Sequence, residues 1–191
     1  MARSYTVEIL AQEVVSRFWS TLTKVTLNYT RRDGKTETLV REVNDHGHAA
    51  AVLAYDPKRK TVLLVKQMRI AAFVAGYTGA MIEVCAGLLD GDDARTCAIR
   101  EAEEEIGVRL RDLRQISDVF MSPGALTERV CLFIGTYSPE DRNSDGGGGV
   151  AAEGEDIEVI ELPLAVAHGM IASGDIVDAK TIILLQHAML R

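Results

Sequence analysis

The 191-residue sequence lacks several features that mark particular classes of protein. Its three cysteines, Cys85, Cys97 and Cys131, form neither a CxxC pair nor an even set, so they indicate no disulfide framework and no cysteine-based metal motif. No stretch approaches the roughly 18 apolar residues of a membrane-spanning helix. The formal charge is −7, which argues against the basic face of a nucleic-acid-binding protein. We therefore expect buried free thiols, a cytoplasmic location, and neither a membrane nor a nucleic acid as partner.

The sequence has enough apolar residues to form a globular fold. Hydrophobic residues make up 47% and charged residues 26% of the chain, a balance typical of folded proteins. The length fits one domain of ordinary size. We expect residues 1–191 to form that single domain, with N-terminal strands over residues 1–45 and the main core over residues 46–191.

Apolar alternation and turn residues predict the order of the elements. Two strands, at residues 23–30 and 36–43, flank an Arg-Asp-Gly turn and predict an antiparallel hairpin. Asp92 and Asp93 open a predicted helix that runs to about Ile106 and stops at Gly107. The remaining predicted strands are at residues 49–55, 61–65, 113–120, 129–137 and 157–162, and the remaining helices at residues 163–173 and 178–190. This order predicts an α+β fold in which helices sandwich a mixed sheet.

The segment of residues 86–108, AGLLDGDDARTCAIREAEEEIGV, has the strongest chemical signal. On a helix, Glu101, Glu104 and Glu105 share one face, whereas the small and apolar residues form another that faces the core: Ala94, Ala98, Ala102 and Ile106. Neighbouring like charges repel by roughly 0.2–0.5 kcal/mol per pair. A hard cation such as Mg²⁺, which prefers oxygen ligands, would relieve that repulsion. For the acidic run taken alone, a solvated helix face is the alternative.

The complete pattern favours the metal-binding interpretation. Gly87 precedes the helix by a short loop, the letters REAEEE occupy residues 100–105, and Gly107 closes the helix. This pattern resembles the Nudix box, G-x5-E-x7-R-E-U-x-E-E-x-G-U, in which U is an apolar residue. It departs from the box in two ways: the interval between the first glycine and the arginine is one residue shorter, and Asp92 or Asp93 replaces the first glutamate. The deletion falls in the loop and leaves the helix register intact.

The resemblance implies a Nudix α/β/α sandwich that hydrolyses a pyrophosphate with the help of a metal ion. Carried over position by position, Glu101 and Glu105 become side-chain metal ligands and the carbonyl group of Ala86 a further ligand. Mg²⁺ is the implied ion, and Mn²⁺ is a possible substitute.

Three further residues of the implied catalytic set support or complete this site. Arg100 would orient the glutamates through a charge-assisted contact. Glu104 would be an outer-sphere helper or a ligand of a second ion. Glu155, in a polar loop at residues 138–156, would be a further metal ligand or the base. Because four glycines precede it, at residues 146–149, we expect this loop to be mobile without substrate.

Outside the box, nearly the full chain resembles the GDP-mannose pyrophosphatase branch of the family, which is close to the ADP-ribose pyrophosphatases. The stretches that carry this resemblance are REV at residues 41–43, KQMR at 66–69, IEVCAGLLD at 82–90, MSPG at 121–124, GGGGV at 146–150, EDIE at 155–158, and Lys180. The implied reaction converts GDP-mannose to GMP and mannose 1-phosphate. An ADP-ribose pyrophosphatase and a non-catalytic nucleotide-sugar sensor remain alternatives.

The same resemblance implies the substrate contacts. Arg41 and Arg69 would contact the diphosphate, for which the planar guanidinium group is suited. Trp19 matches a position that stacks on the nucleotide base of the neighbouring subunit, and a core tryptophan is the alternative. The rest of the implied substrate-binding set is Glu42, Ala86, Gly87, Glu128 and Lys180. We also expect a homodimer built through the N-terminal strands, because an isolated hairpin is marginally stable.

Overall fold

The computed structural model describes residues 5–143, 147–149, 154 and 156–190. The chain forms two compact units. The first, which we call the N-terminal unit, comprises Met1–His48 and Phe120–Glu128, and the second, the core unit, comprises Ala49–Val119 and Arg129–Arg191.

The N-terminal unit is built on a three-stranded antiparallel sheet in the order β1-β2-β3. Its strands are β1 (Thr6–Arg17), β2 (Thr21–Thr30) and β3 (Thr36–Asp45). The predicted hairpin is therefore confirmed as β2 and β3, and Gly34 in its turn has a φ of +88°. Strand β1 was not predicted. Its pairing shifts register on either side of Leu10 and of Val15, and such bulges interrupt the alternation by which a strand is identified.

Strand β1 exposes many large apolar side chains. Val25 is the one hydrophobic residue in the described part of the N-terminal unit that is buried. The exposed apolar residues on or beside β1 are Tyr5, Val7, Ile9, Leu10, Val14, Val15, Phe18 and Trp19. The N-terminal sheet thus buries little apolar surface of its own.

The core unit contains a seven-stranded sheet that is mixed, as predicted, but two of its strands, Met81–Glu83 and Cys85–Leu88, were not predicted. Its strands are β4 (Ala49–Asp56), β5 (Thr61–Gln67), β6 (Met81–Glu83), β7 (Cys85–Leu88), β8 (Arg111–Phe120), β9 (Arg129–Thr136) and β10 (Glu158–Pro163). The order is β10-β5-β4-β9-β8, with β6 paired to β5 and β7 to β4. Strand β4 runs parallel to β9 and antiparallel to β5 and β7.

Helices cover both faces of this sheet. They are α1 (Ile70–Val74), α2 (Ala94–Glu105), α3 (Leu164–Ser173) and α4 (Ala179–Met189), with a 3-10 helix at Pro139–Asp141. Along β4, Ala50 and Val52 pack in one cluster with Ala98 and Ala102 of α2. The intervening residues of β4 point to the opposite face, and α4 contacts both β4 and β9.

The longer helices agree with the predicted ones, whereas α1 was not predicted. In the described residues, no helix is long and apolar enough to cross a membrane.

Candidate active site

Helix α2 begins at a strong N-cap. The side chain of Asp93 accepts hydrogen bonds from the backbone N–H groups of Arg95 and Thr96, at 2.9 and 3.1 Å. These bonds satisfy donors that the first turn of a helix leaves without partners. Further along, Ala98 and Ala102 are fully buried. The buried alanines set the rotation of the helix, and so they determine where its glutamates lie.

The glutamate face of α2 lies against strand β7. Glu101 is 8% exposed and Glu105 is 2% exposed. The N–H of Ala86 donates to Oε2 of Glu105 at 3.1 Å. A Cβ atom added to Gly87 would overlap the carboxylate of Glu101, so the absence of a side chain at this position leaves space for that carboxylate. The structure therefore brings together four residues of the implied site.

A single arginine connects the acidic residues at this face. Nη1 of Arg100 lies 2.8 Å from Oε1 of Glu101 and 3.0 Å from Oε2 of Glu104. Its Nη2 donates to the carbonyl oxygen of Leu88 at 3.2 Å, and its Nε lies 3.4 Å from Asp92. Burial opposes the charge of Arg100, but Glu101 and Glu104 outweigh it and raise its pKa. The guanidinium group of Arg100 thus contacts both of the carboxylates that it is expected to orient.

The donor set is suited to a divalent cation. Burying two carboxylates is costly unless positive charge compensates them, and carboxylate and carbonyl oxygens are the ligands that Mg²⁺ prefers. Within the described ranges, no cluster of three or more His, Cys, Asp or Glu side chains is arranged to bind a metal. The metal site that the resemblance implies does not need such a cluster. Its described ligands are two side chains and one backbone group: Glu101, Glu105 and the carbonyl of Ala86.

Two buried thiols lie beside this site as hydrogen-bond donors. Burial raises the pKa of Cys85 well above its usual range, and Glu105 raises it further. Burial raises the pKa of Cys97 to about 11, with a contribution from Glu101. Both thiols are therefore protonated at neutral pH in the metal-free protein. All three cysteines of the chain are free. Cys85 and Cys97 are buried as expected, whereas Cys131 is only partly buried.

A second charged cluster lies where β6 ends and α4 begins. The residue at its centre was not identified from the sequence. Glu83 is 1% exposed. It accepts two hydrogen bonds from Arg69, at 2.7 and 3.1 Å, and another from Lys180. The structure thus places Arg69 and Lys180, both implied substrate contacts, on one buried carboxylate.

The charges of this cluster stabilise one another. Burial alone would raise the pKa of Glu83, but Arg69 and Lys180 lower it below its ordinary value of 4.5. Burial alone would lower the pKa of Lys180, but Glu83 and Asp178 raise it above 10.5. Both groups are therefore charged at neutral pH.

The N-cap of α4 belongs to the same cluster. Asp178 lies 2.9 Å from Nζ of Lys180 and accepts from the N–H of Thr181 at 3.0 Å. The hydroxyl of Thr181 in turn accepts from the N–H of Val84 at 2.8 Å. These bonds attach the start of α4 to the chain between β6 and β7. The one sequence signal for Glu83 was an acid between the apolar residues Ile82 and Val84.

Four implied substrate residues belong to the N-terminal unit. Trp19 is 69% exposed and its ring stacks on that of His46, with centroids 4.9 Å apart and planes 24° apart. Nε2 of His46 lies 3.9 Å from Oε1 of Glu128. Trp19 is therefore a surface residue, and His46 connects it to Glu128. Arg41 and Glu42 are exposed neighbours on β3, whose side chains point to opposite faces.

Glu155 lies outside the described residues. Of the glycine run, Gly147, Gly148 and Gly149 are described, and they lie at the end of α2. The sequence had not predicted a contact between this run and the helix.

Comparison with known proteins agrees with this geometry. The family profile described as the NUDIX domain matches residues 45–182. A second profile, described as the GDP-mannose pyrophosphatase NudK N-terminal domain, matches residues 6–43. The two profiles together span most of both units.

Two relatives with more than 40% sequence identity match almost the whole chain. A protein of Escherichia coli O157:H7 named GDP-mannose pyrophosphatase is 42% identical over 182 residues, which are 95% of this chain and 94% of the relative. A protein of the same name from Salmonella paratyphi B is 43% identical over 185 residues, 96% of this chain and 95% of the relative. A solved structure described as an ADP compounds hydrolase has a TM-score of 0.71 at 20% identity, and the match covers 96% of this chain and 94% of that one. This last likeness shows a shared fold.

Proposed function

The chain belongs to the Nudix hydrolase family, and from this premise we propose that it hydrolyses the pyrophosphate bond of GDP-mannose to give GMP and mannose 1-phosphate. The observation that carries the proposal is the pair of buried carboxylates, Glu101 and Glu105, against the backbone of Ala86 and Gly87. The full-length likeness to proteins named GDP-mannose pyrophosphatase supports the choice of substrate.

The residues that would hold the metal ion are Glu101, Glu105, the carbonyl of Ala86 and, from the sequence, Glu155. Mg²⁺, or Mn²⁺ in its place, would supply positive charge to the phosphoryl oxygens and lower the pKa of bound water. Arg100 keeps Glu101 and Glu104 in place through its contacts of 2.8 and 3.0 Å.

The bond changes require a nucleophile and a proton acceptor. A water oxygen forms a bond to one phosphorus, and the bond from that phosphorus to the bridging oxygen breaks. We assign the water proton to a carboxylate oxygen of Glu155. The bridging oxygen leaves with the other phosphate. Catalysis of this kind depends mostly on positioning and on charge neutralisation.

Arg69 is the proposed contact of the diphosphate in the core unit, and Lys180 is the proposed contact of another polar group of the substrate. The side chain of Arg69 is 43% exposed although two of its nitrogens contact Glu83. A guanidinium group has five N–H donors in a planar fork, so donors of Arg69 beyond those two are available to a phosphate. Glu83 would set the orientation of both cations before the substrate binds.

A panel of nucleotide sugars tests the proposed reaction. Purified protein with Mg²⁺ is incubated with GDP-mannose and with ADP-ribose, and monophosphate release is measured by chromatography. We expect a higher kcat/KM for GDP-mannose. A clear preference for ADP-ribose would instead support the alternative substrate. Tight binding of the nucleotide sugars without any turnover would support a sensor.

We further propose a homodimer formed through the N-terminal sheet and a cytoplasmic location. Contiguous exposed apolar surface marks interaction sites, and β1 exposes Val7, Ile9, Val14 and their neighbours. Light scattering is expected to give about twice the chain mass of 20.8 kDa, and a fully active monomer would contradict the dimer. The three free cysteines fit a reducing compartment.

A further inference from the structure

The last turn of α2 is held by a segment from much later in the chain. The final carbonyl groups of a helix have no partners within it. The N–H of Gly148 donates to the carbonyl oxygen of Glu105 at 2.9 Å, and the N–H of Gly149 donates to that of Glu104 at 3.2 Å. Two glutamates of the acidic helix face are therefore held by their backbones as well as by their side chains.

This contact requires glycine. At Gly147 φ is +95°, and a Cβ atom there would lie 3.0 Å from the carbonyl carbon of Ile106 and 3.1 Å from the carbonyl oxygen of Glu105. Both are backbone atoms, which cannot move aside as a flexible side chain could. Gly148 and Gly149 have φ values of +103° and +79°, a region that favours glycine. Gly147, Gly148 and Gly149 therefore permit a close approach that other residues would make only with strain.

The position of Glu105 depends on contacts at both of its ends. Its side chain accepts from the N–H of Ala86 at 3.1 Å, and its carbonyl accepts from Gly148. The ends of helices fray when nothing holds them. Fraying of this turn would move Glu105 relative to Ala86, and metal sites tolerate only small displacements of their ligands.

We propose that Gly147, Gly148 and Gly149 form a positioning segment for the metal-binding end of α2, which fixes the distance between the ligands Glu105 and Ala86. The inference rests on the proposed function, because it takes these residues as metal ligands. It assigns to the glycine run a part in metal affinity.

Direct measurement of Mn²⁺ affinity tests the positioning segment. Binding is followed by electron paramagnetic resonance of free Mn²⁺, at a temperature at which every variant is folded by circular dichroism. The variants are Gly147→Ala, which meets the helix backbone, and Gly148→Ala, whose Cβ has its nearest neighbour at 3.8 Å.

The matched control is Gly174→Ala. Gly174 also follows a helix, has a φ of +82°, donates to the carbonyl of Ile171 at 3.3 Å, and has nothing within 4 Å of an added Cβ. The Gly174→Ala substitution therefore introduces similar backbone strain at the end of a different helix.

We expect Gly147→Ala to weaken Mn²⁺ binding about tenfold or more, in the range found when groups that orient metal ligands are changed. Gly148→Ala should weaken it less, and the control should stay within about twofold of wild type. The inference is overturned if Mn²⁺ affinity is unchanged in both Gly147→Ala and Gly148→Ala. It is also overturned if Gly174→Ala loses as much Mn²⁺ affinity as they do. If Gly147→Ala does not fold, the comparison of Gly148→Ala with the control decides. Failure of wild type to bind Mn²⁺ would overturn the proposed metal site itself, which is a different result.

Discussion

Glu83→Gln changes the central residue of the charged cluster that Glu83 forms with Arg69 and Lys180. The carboxylate is 1% exposed and contacts both Arg69 and Lys180. Glutamine keeps the shape and one acceptor oxygen, but it removes the negative charge between two cations. Lys180, whose side chain is 13% exposed, would then keep its contact with the carboxylate of Asp178.

The expected loss follows from this burial. Removing one partner of a buried ion pair costs about 3–5 kcal/mol. Because Arg69 is 43% exposed and glutamine can still accept hydrogen bonds, we expect a smaller loss of about 2–3 kcal/mol in the free energy of unfolding. For a chain of this size, that corresponds to a fall in Tm of about 4–12 °C.

The directions of the pKa shifts predict how the stabilisation by this cluster changes with pH. The pKa of Glu83 is lowered, so its contribution is complete above its ordinary pKa of 4.5 and is lost as the pH falls through the lowered value. The pKa of Lys180 is raised, so its contribution is complete below 10.5 and is lost as the pH rises through the raised value. The difference in the free energy of unfolding between wild type and Glu83→Gln should therefore be complete at pH 7 and smaller in acid.

Urea unfolding at pH 7 and in acid measures this difference. The control is Glu158→Gln, because Glu158 is 63% exposed and lies 3.3 Å from Lys66. An exposed pair of that kind contributes about 0–1 kcal/mol. The reasoning would be refuted if Glu83→Gln cost no more than the control, or if its cost were the same in acid as at pH 7.

Three further predictions concern activity. Glu101→Gln and Glu105→Gln should each lower kcat/KM about 10³-fold or more while the fold stays intact, because metal charge stabilisation is worth several kcal/mol. The control is Glu103→Gln, because Glu103 is exposed on the same helix. Turnover within about tenfold of wild type in either ligand variant would contradict the ligand assignment. Glu155→Gln should reduce kcat far more than substrate affinity, since its contact matters most in the transition state, and an unchanged kcat in steady-state kinetics would make Glu153 the next candidate. Gly87→Ala should reduce kcat/KM because its Cβ would overlap the Glu101 carboxylate, whereas Gly79→Ala, whose Cβ would have ordinary contact at 3.8 Å, should retain activity in the same assay.

Local chemistry made α2 predictable from the sequence. Asp93 was expected at the start of the helix and is its N-cap, and Gly107 was expected at the end and has a φ of +62°. N-caps and left-handed glycines act within a few residues, so their signals are contiguous in the chain. The four-residue spacing of Glu101 and Glu105 likewise predicts that they share one face of the helix.

Four elements were not predicted, namely β1, the short strands β6 and β7, and α1. Of these, β1 and α1 have weak local signals. Strand β1 contains two bulges, at which the pairing with β2 skips Leu10 and Val15, and these bulges break the period of two. Helix α1 has five residues and no side-chain cap, and a helix of that length has neither a periodic face nor a strong boundary signal.

By itself, the sequence determined the acidic helix, the glycine before it and the resemblance to a metal-dependent hydrolase family, because each depends on residues close together in the chain or on a contiguous motif. The mixed sheet was predicted from the order of the elements. Only the tertiary structure showed that Glu83 joins Arg69 to Lys180, that His46 connects Trp19 to Glu128, and that Gly148 bonds the end of α2. These contacts join residues distant in sequence. Their geometry depends on how the sheet and helices pack, and no local pattern records which distant backbone or side chain will be adjacent.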